Sequence, residues 1–375
     1  MQFFPLSDLS LMLLRLFLKI RLPLSFLLFP FSFIFGAIAA LRRKAFQKGW
    51  LRSKTFTIPT ICVGNLRVGG TGKTPHVEYL ARFLSQHHQV AILSRGYGRK
   101  KRGYINANET SNLSSKIIGD EPMLYAAKLP NVEVAVCEKR KIGIENLLHK
   151  NPKLEVVILD DAYQHLAVNY SVRILLTEYY RPFFKDFLLP SGNLRECRNA
   201  SKHANIIIVT KCPENLTETE KTQFLQKLKP KPHQEVFFTK VKYEEKAEGR
   251  KEKGKIPLQI FEGVPERRGS LLLLTGIANP TPLVHYLETQ YNKIHRLHFP
   301  DHHAFTYKDI EKIRRLKEKL GGKNCTIITT EKDAARLQIF ENMPEYYVIP
   351  IEIVFLERET VFKEKLLSLL KTNDA

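Results

Sequence analysis

The chain has 375 residues, 43% of them hydrophobic and 26% charged, which is long enough for two domains. Its 59 Lys and Arg against 38 Asp and Glu leave a formal net charge of +21, so an acidic partner is expected, either nucleic acid or an anionic membrane. The five cysteines (Cys62, Cys137, Cys197, Cys212 and Cys325) lack the paired spacing that zinc or redox chemistry requires, and most read as small core residues.

The N-terminus decides between the two partners. Residues 22–41 carry no charged side chain, a stretch long enough for roughly a bilayer core. Arg42, Arg43, Lys44, Lys48, Arg52 and Lys54 follow it, against Arg15, Lys19 and Arg21 before it, and this excess predicts that the remaining chain lies on the cytoplasmic side of the membrane. Pro23 and Pro30 each remove a hydrogen bond from a spanning helix, so a hairpin or an in-plane helix on the anionic inner leaflet is an equally good reading. Ala37-Ile38-Ala39 resembles a signal-peptide cleavage site, but the stretch before it is too long and the basic cluster lies on its wrong side. Nucleic acid is disfavoured because basic and aromatic residues do not interleave beyond this segment, and no obligate protein partner is evident.

Residues 67–75 read Arg-Val-Gly-Gly-Thr-Gly-Lys-Thr-Pro, after a strand-like run (residues 57–63) and before a helix-like one (residues 76–85). This is a phosphate-binding loop in its expected setting. Gly69, Gly70 and Gly72, with Thr71 between them, let backbone N–H groups turn inward around phosphate oxygens, and the helix N-terminus adds its positive end. Lys73 is then expected to reach the β- and γ-phosphates of a nucleoside triphosphate, and Thr74 to hold Mg²⁺. Arg67 stands where the consensus has its first glycine.

Further strand-like runs lie at residues 89–93, 132–137, 155–159, 173–176 and 205–209, alternating with helical patterns. The alternation predicts an α/β fold of the P-loop NTPase type, with a mostly parallel sheet and helices on both faces. Chemistry in such sheets gathers at the carboxyl ends of strands. Asp160 and Asp161 follow the 155–159 run at once and are expected to carry Mg²⁺, although Asp there also suits a helix N-cap. Residues 243–269 are rich in Lys, Glu, Gly and Pro and read as a charged arm. The organisation expected is a membrane-associated helical segment (1–54), a P-loop domain (55–242), the arm, and a smaller C-terminal α/β domain (270–375).

Several segments together resemble the tetraacyldisaccharide 4'-kinase family. They are Val-Gly-Asn-Leu-Arg-Val-Gly-Gly-Thr-Gly-Lys-Thr-Pro (63–75), Ser-Arg-Gly-Tyr-Gly (94–98), Gly-Asp-Glu-Pro (119–122), Asp-Asp-Ala-Tyr-Gln-His (160–165) and Leu-Pro-Ser-Gly-Asn-Leu-Arg-Glu (189–196). Val-Thr-Lys-Cys-Pro (209–213), Thr-Gly-Ile-Ala-Asn-Pro (275–280), Phe-Pro-Asp-His-His (299–303) and Thr-Glu-Lys-Asp-Ala (330–334) continue the series in the family's order. Two departures stand out: Ala162-Tyr163 where the family has Gly-Phe, and Asn193 where it has Pro. The first raises the question of whether the backbone after Asp161 needs a glycine.

The resemblance implies transfer of the ATP γ-phosphate to the 4'-hydroxyl of an acylated glucosamine disaccharide 1-phosphate during lipid A biosynthesis. It marks Asp120 as the base and His302 as its partner, a pair that closure of an interdomain cleft would assemble. By themselves, Gly-Asp-Glu-Pro also suits a helix cap and Asp-His-His a metal cluster. Family alignment further suggests Arg140, Arg195 and Glu196 for phosphate, and Tyr97 and Gln164 for the disaccharide. From the residues alone, a membrane-tethered P-loop ATPase acting as a switch or transport motor is the alternative.

Overall fold

The computed structural model describes residues 28–111, 113–243, 270–291 and 293–371. Residues 22–27 of the apolar segment and nearly all of the expected charged arm lie outside the described residues. A helix over residues 28–47, α1, comes first. It leads to β1 (Thr60–Asn65), α2 (Lys73–Leu84), β2 (Val90–Ser94), β3 (Ile105–Asn106), α3 (Ser115–Ile118), α4 (Asp120–Lys128) and β4 (Glu133–Val136). Next come α5 (Arg140–Lys150), β5 (Val156–Asp160), β6 (Val172–Glu178), β7 (Ile206–Thr210), α6 (Glu218–Leu228) and β8 (Glu235–Tyr243). The C-terminal part holds β9 (Ser270–Thr275), α7 (Thr281–Glu288), β10 (Ile294–His298), α8 (Tyr307–Lys319), β11 (Cys325–Thr330) and α9 (Glu331–Leu337). It ends with β12 (Tyr347–Ile349), β13 (Ile351–Phe355) and α10 (Glu359–Lys371).

Nine strands form one sheet in the order β13-β8-β7-β6-β1-β5-β2-β4-β3, parallel except at its two edges. The central strands are largely apolar because both faces of the sheet are covered, as parallel sheets require. Alternate residues serve opposite cores: Ile61, Val63, Ile92, Ile158, Ile174 and Ile208 pack on one side, and Cys62, Leu93, Val157, Leu159, Leu175 and Val209 on the other. Cys62, Cys137, Cys212 and Cys325 are buried free thiols, and Cys197 is half-buried.

A second sheet, β10-β9-β11-β12, is wholly parallel. It does not stand apart. The core that holds Ile61 and Val63 continues through Phe237, Phe355 and Phe362 to Leu272, Leu274 and Ile327 of the second sheet.

The last strand and helix return to the first sheet, so the unit around the second sheet ends near residue 350, short of the expected 375. β13 closes the open edge of β8 in antiparallel register, from Ile351 opposite Tyr243 to Phe355 opposite Thr239. Helix α10 then buries Phe362, Leu366 and Leu370, three residues spaced four apart on one helical face.

Among the described residues no helix is long and apolar enough to cross a membrane. Helix α1 lies along the segment 187–197. Ser32 donates to the Leu188 carbonyl at 3.0 Å, Arg43 pairs with Glu196 at 2.6 Å, and Phe29 meets Phe187 edge to face. The inward residues Ser32 and Gly36 are small, whereas Phe29, Phe31, Phe33, Ile34, Ile38 and Leu41 are all more than half exposed.

Candidate active site

Gly72 caps α2 in the left-handed conformation (φ 85°), and Lys73 and Thr74 open that helix. The loop before it is held from behind. Thr71 is buried: its hydroxyl accepts from Asn65 Nδ2 at 2.8 Å and its carbonyl accepts from the Thr210 hydroxyl at 3.0 Å. His76 Nδ1 donates to the Gly72 carbonyl at 2.7 Å, and Lys211 donates to the Gly70 carbonyl. Arg67 stays outside the cradle, paired with Asp186 at 2.5 Å and with Glu178 at 3.8 Å. A glycine at that position is therefore not required.

Asp160 ends β5 beside this loop and is buried. Its Oδ2 accepts from the Tyr125 hydroxyl at 3.2 Å and from Ser94 at 3.4 Å, while Oδ1 is buried without a partner among the described residues. Burial, reinforced by the charges of Glu121 and Asp161, raises its pKa to about 6. Asp161 differs. Burial raises its pKa too, but Lys73 at 3.6 Å and Arg195 at 2.8 Å outweigh that and hold it down at about 2. Two adjacent carboxylates are thus set apart, one ionised and held by cations, the other with an open oxygen. The left-handed backbone in this motif belongs to Asp161 (φ 48°). Ala162 is buried, with its N–H bonded to the Val63 carbonyl, so the alanine in place of glycine carries no strain.

Asp120 begins α4, and Gly119 (φ 94°) precedes it with no room for a side chain, since a Cβ there would lie 2.8 Å from the Tyr97 carbonyl oxygen. The segment 95–98 is thereby pressed against the start of α4. From the C-terminal part, His302 Nδ1 reaches Asp120 Oδ2 at 3.3 Å. This bond, more than any other influence, raises the His302 pKa above its usual value. His302 sits at φ 57°, an unfavourable conformation for a residue with a side chain, and such strain gathers at functional sites. His303 turns elsewhere, to Asp309 at 3.1 Å and against the Phe299 ring, so the two histidines do not converge as metal ligands would.

Other positions marked in the sequence divide into site and support. Arg195 bonds Asp161 and Asn65 and lies at the site. Tyr97 is 70% exposed, with its ring edge to face with His302 at 5.7 Å. Gln164 donates to the Asn65 carbonyl at 2.8 Å. Arg140, expected at a phosphate, is 2% exposed and donates to the carbonyls of Cys137 and Asp160, bracing β5 from within. Glu196 is likewise buried against Arg43, where it fastens α1.

Three further residues join the site without having been singled out in the sequence. Tyr125 links α4 to Asp160, Lys332 pairs with Glu121 at 3.0 Å, and Arg336 donates to Asp120 Oδ2 at 2.8 Å. Lys332 lies inside the Thr-Glu-Lys-Asp-Ala segment, which was the one available signal.

A phosphate loop at β1, an acidic strand end at β5 and a carboxylate–imidazole pair define a P-loop phosphotransferase. The chain belongs to the tetraacyldisaccharide-1-P 4'-kinase family, whose model matches residues 24–371. Proteins described as tetraacyldisaccharide 4'-kinase are similar to it along nearly their whole length. That of Flavobacterium johnsoniae is 43% identical, covering 92% of this chain and 97% of the relative. That of Bacteroides thetaiotaomicron is 42% identical, covering 92% and 93% respectively. Among solved structures, LpxK from Aquifex aeolicus, an "apo" form in complex with ATP, superposes with a TM-score of 0.70 at 29% identity, covering 92% of this chain and 99% of that one.

Proposed function

We propose that the chain transfers the γ-phosphate of ATP to the 4'-hydroxyl of a tetraacylated glucosamine disaccharide 1-phosphate, a late step of lipid A biosynthesis. The observation that carries the reading is the contact between Asp120 and His302 at 3.3 Å, at the end of a helix whose Tyr125 touches Asp160. An acceptor hydroxyl needs somewhere to send its proton, and a carboxylate backed by imidazole supplies that. A switch or transport ATPase has no acceptor alcohol and no need of such a pair.

Lys73 is placed to follow charge onto the β- and γ-phosphates, and Arg195 to neutralise a neighbouring oxygen. Thr74, Asp160 and Asp161 fit Mg²⁺: they are hard oxygen donors, and Oδ1 of Asp160 is buried without a partner. When bound there, Mg²⁺ would neutralise charge on the transferred group and favour the ionised form of Asp160. Asp120 takes the acceptor proton, and His302, already biased toward its charged form by that carboxylate, steadies it.

The outward face of α1, with Phe31, Phe33 and Ile38 exposed, fits the acyl region of the inner leaflet, and the following basic residues fit its anionic headgroups. On this reading the enzyme sits on the cytoplasmic face of the inner membrane and meets its lipid substrate there. Incubation with ATP, Mg²⁺ and the tetraacyl disaccharide 1-phosphate tests the reaction. Phosphorylated lipid should appear in equal amount to ADP; ADP with free phosphate and no lipid product would refute the proposal.

A further inference from the structure

Arg336 sits in the last turn of α9, on the C-terminal side of the site, and is 5% exposed. Its guanidinium is held from one side and holds on the other. Nη1 donates to Asp333 Oδ1 and to the Gly276 carbonyl, both at 3.1 Å. Asp333 is itself wholly buried, accepting from the Gly276 N–H at 3.0 Å and the Thr330 hydroxyl at 2.7 Å. The carboxyl ends of β9 and β11 thus aim this side chain, and Nε delivers the result to Asp120 Oδ2 at 2.8 Å.

We infer that Arg336 is a positioning residue for phosphoryl transfer, fixing the Asp120 carboxylate so that Oδ1 faces the acceptor hydroxyl while Oδ2 is engaged by Arg336 and His302. The inference rests on the reading of Asp120 as the group that takes the acceptor proton. Both observed contacts converge on one oxygen, which leaves the other for the alcohol. A guanidinium fork defines an orientation that a point charge does not. The arrangement also carries an energetic penalty, because Arg336 Nη2 is buried without a partner among the described residues.

The chemistry tolerates a weakly basic carboxylate. Burial raises the Asp120 pKa, but the bonds from His302 and Arg336 outweigh it and keep the group below its usual value. In a loose transition state the alcohol becomes acidic only as the new P–O bond forms, so the base must be ionised and aimed more than strong. The alternative is that Arg336 merely staples α9 to α4, as Lys332 and Glu121 do alongside.

Steady-state kinetics of Arg336→Lys, Arg336→Met, Asp120→Asn and the Arg336→Met/Asp120→Asn double variant separate the two. Positioning predicts that kcat falls by about 10²-fold in both single Arg336 variants, with KM for ATP and for lipid little changed. It also predicts that the double variant is no slower than Asp120→Asn alone. Losses that appear in KM, or that multiply in the double variant, would overturn it. If the methionine variant fails to fold, Arg336→Lys carries the test through the kcat–KM split and through Arg336→Lys/Asp120→Asn, because it keeps a cation beside Asp333. Near wild-type turnover by Asp120→Asn would remove the underlying reading instead. A slow Asp120→Asn beside unaffected Arg336 variants would sink only this inference.

Discussion

The hydroxyl of Tyr125 donates to Oδ2 of Asp160 at 3.2 Å. Five residues earlier on the same helix is Asp120, so one rigid element spans the acceptor side and the cation side of the site. Tyr125→Phe keeps the packing and deletes the bond. The expected result is a Mg²⁺ requirement raised by about tenfold at saturating ATP, as loss of a group that orients a metal ligand usually gives. A Mg²⁺ titration of turnover that superposes on the wild type would contradict this.

Lys73→Ala and Asp160→Ala should each abolish transfer, one by removing the phosphate counter-charge and the other the carboxylate with the open oxygen. Asp160 ends β5 and Lys73 follows the adjacent strand β1 through the phosphate loop, which motivates the pairing. Near wild-type turnover by either at saturating ATP and Mg²⁺ would move the nucleotide site elsewhere.

His76 gives a pH-dependent prediction. Burial depresses its pKa to about 4, against the bond to the Gly72 carbonyl that raises it. The unfolded chain takes up this proton below about pH 6.5, whereas the folded chain resists until about 4. Stability present above pH 6.5 is therefore lost as pH falls through that window, by about 3 kcal/mol in total. In His76→Asn, denaturant unfolding should show this slope removed. An unchanged difference between pH 7 and pH 4.5 would show that His76 is not the group responsible.

The membrane face is tested without disturbing the inward stripe of α1. Phe31→Glu, Phe33→Glu and Ile38→Glu together should make binding to anionic vesicles weak and salt-labile, while turnover of a water-dispersed short-chain acceptor persists. Salt-resistant binding by the triple variant would place the anchor elsewhere.

The parallel sheet was legible because both of its faces are covered, which produces uninterrupted apolar runs such as 156–159; each expected strand falls within a few residues of an observed one, whereas β3, β8, β10 and β13 were not expected. Phosphate loop and acidic strand end were legible because their chemistry is local in sequence. Arg336 was not, since its role depends on α9 meeting α4 across more than two hundred residues. Arg140 was expected at a phosphate because an arginine after a strand looks like a ligand contact, and only the fold shows two of its nitrogens bonded to buried carbonyls. The return of Ile351–Phe355 to the first sheet was hidden because an edge strand carries no mark of its partner.

The central claim is that Asp120 and His302, brought from two sheets to one contact, serve a single proton path at the acceptor. It is tested by turnover and ATP affinity of Asp120→Asn, His302→Ala and the double variant at saturating lipid. The account predicts roughly 10²–10⁴-fold losses in kcat for the single variants, unchanged ATP affinity, and a double variant little worse than the poorer single one. Losses that multiply, or a large fall in ATP affinity in either single variant, would contradict it.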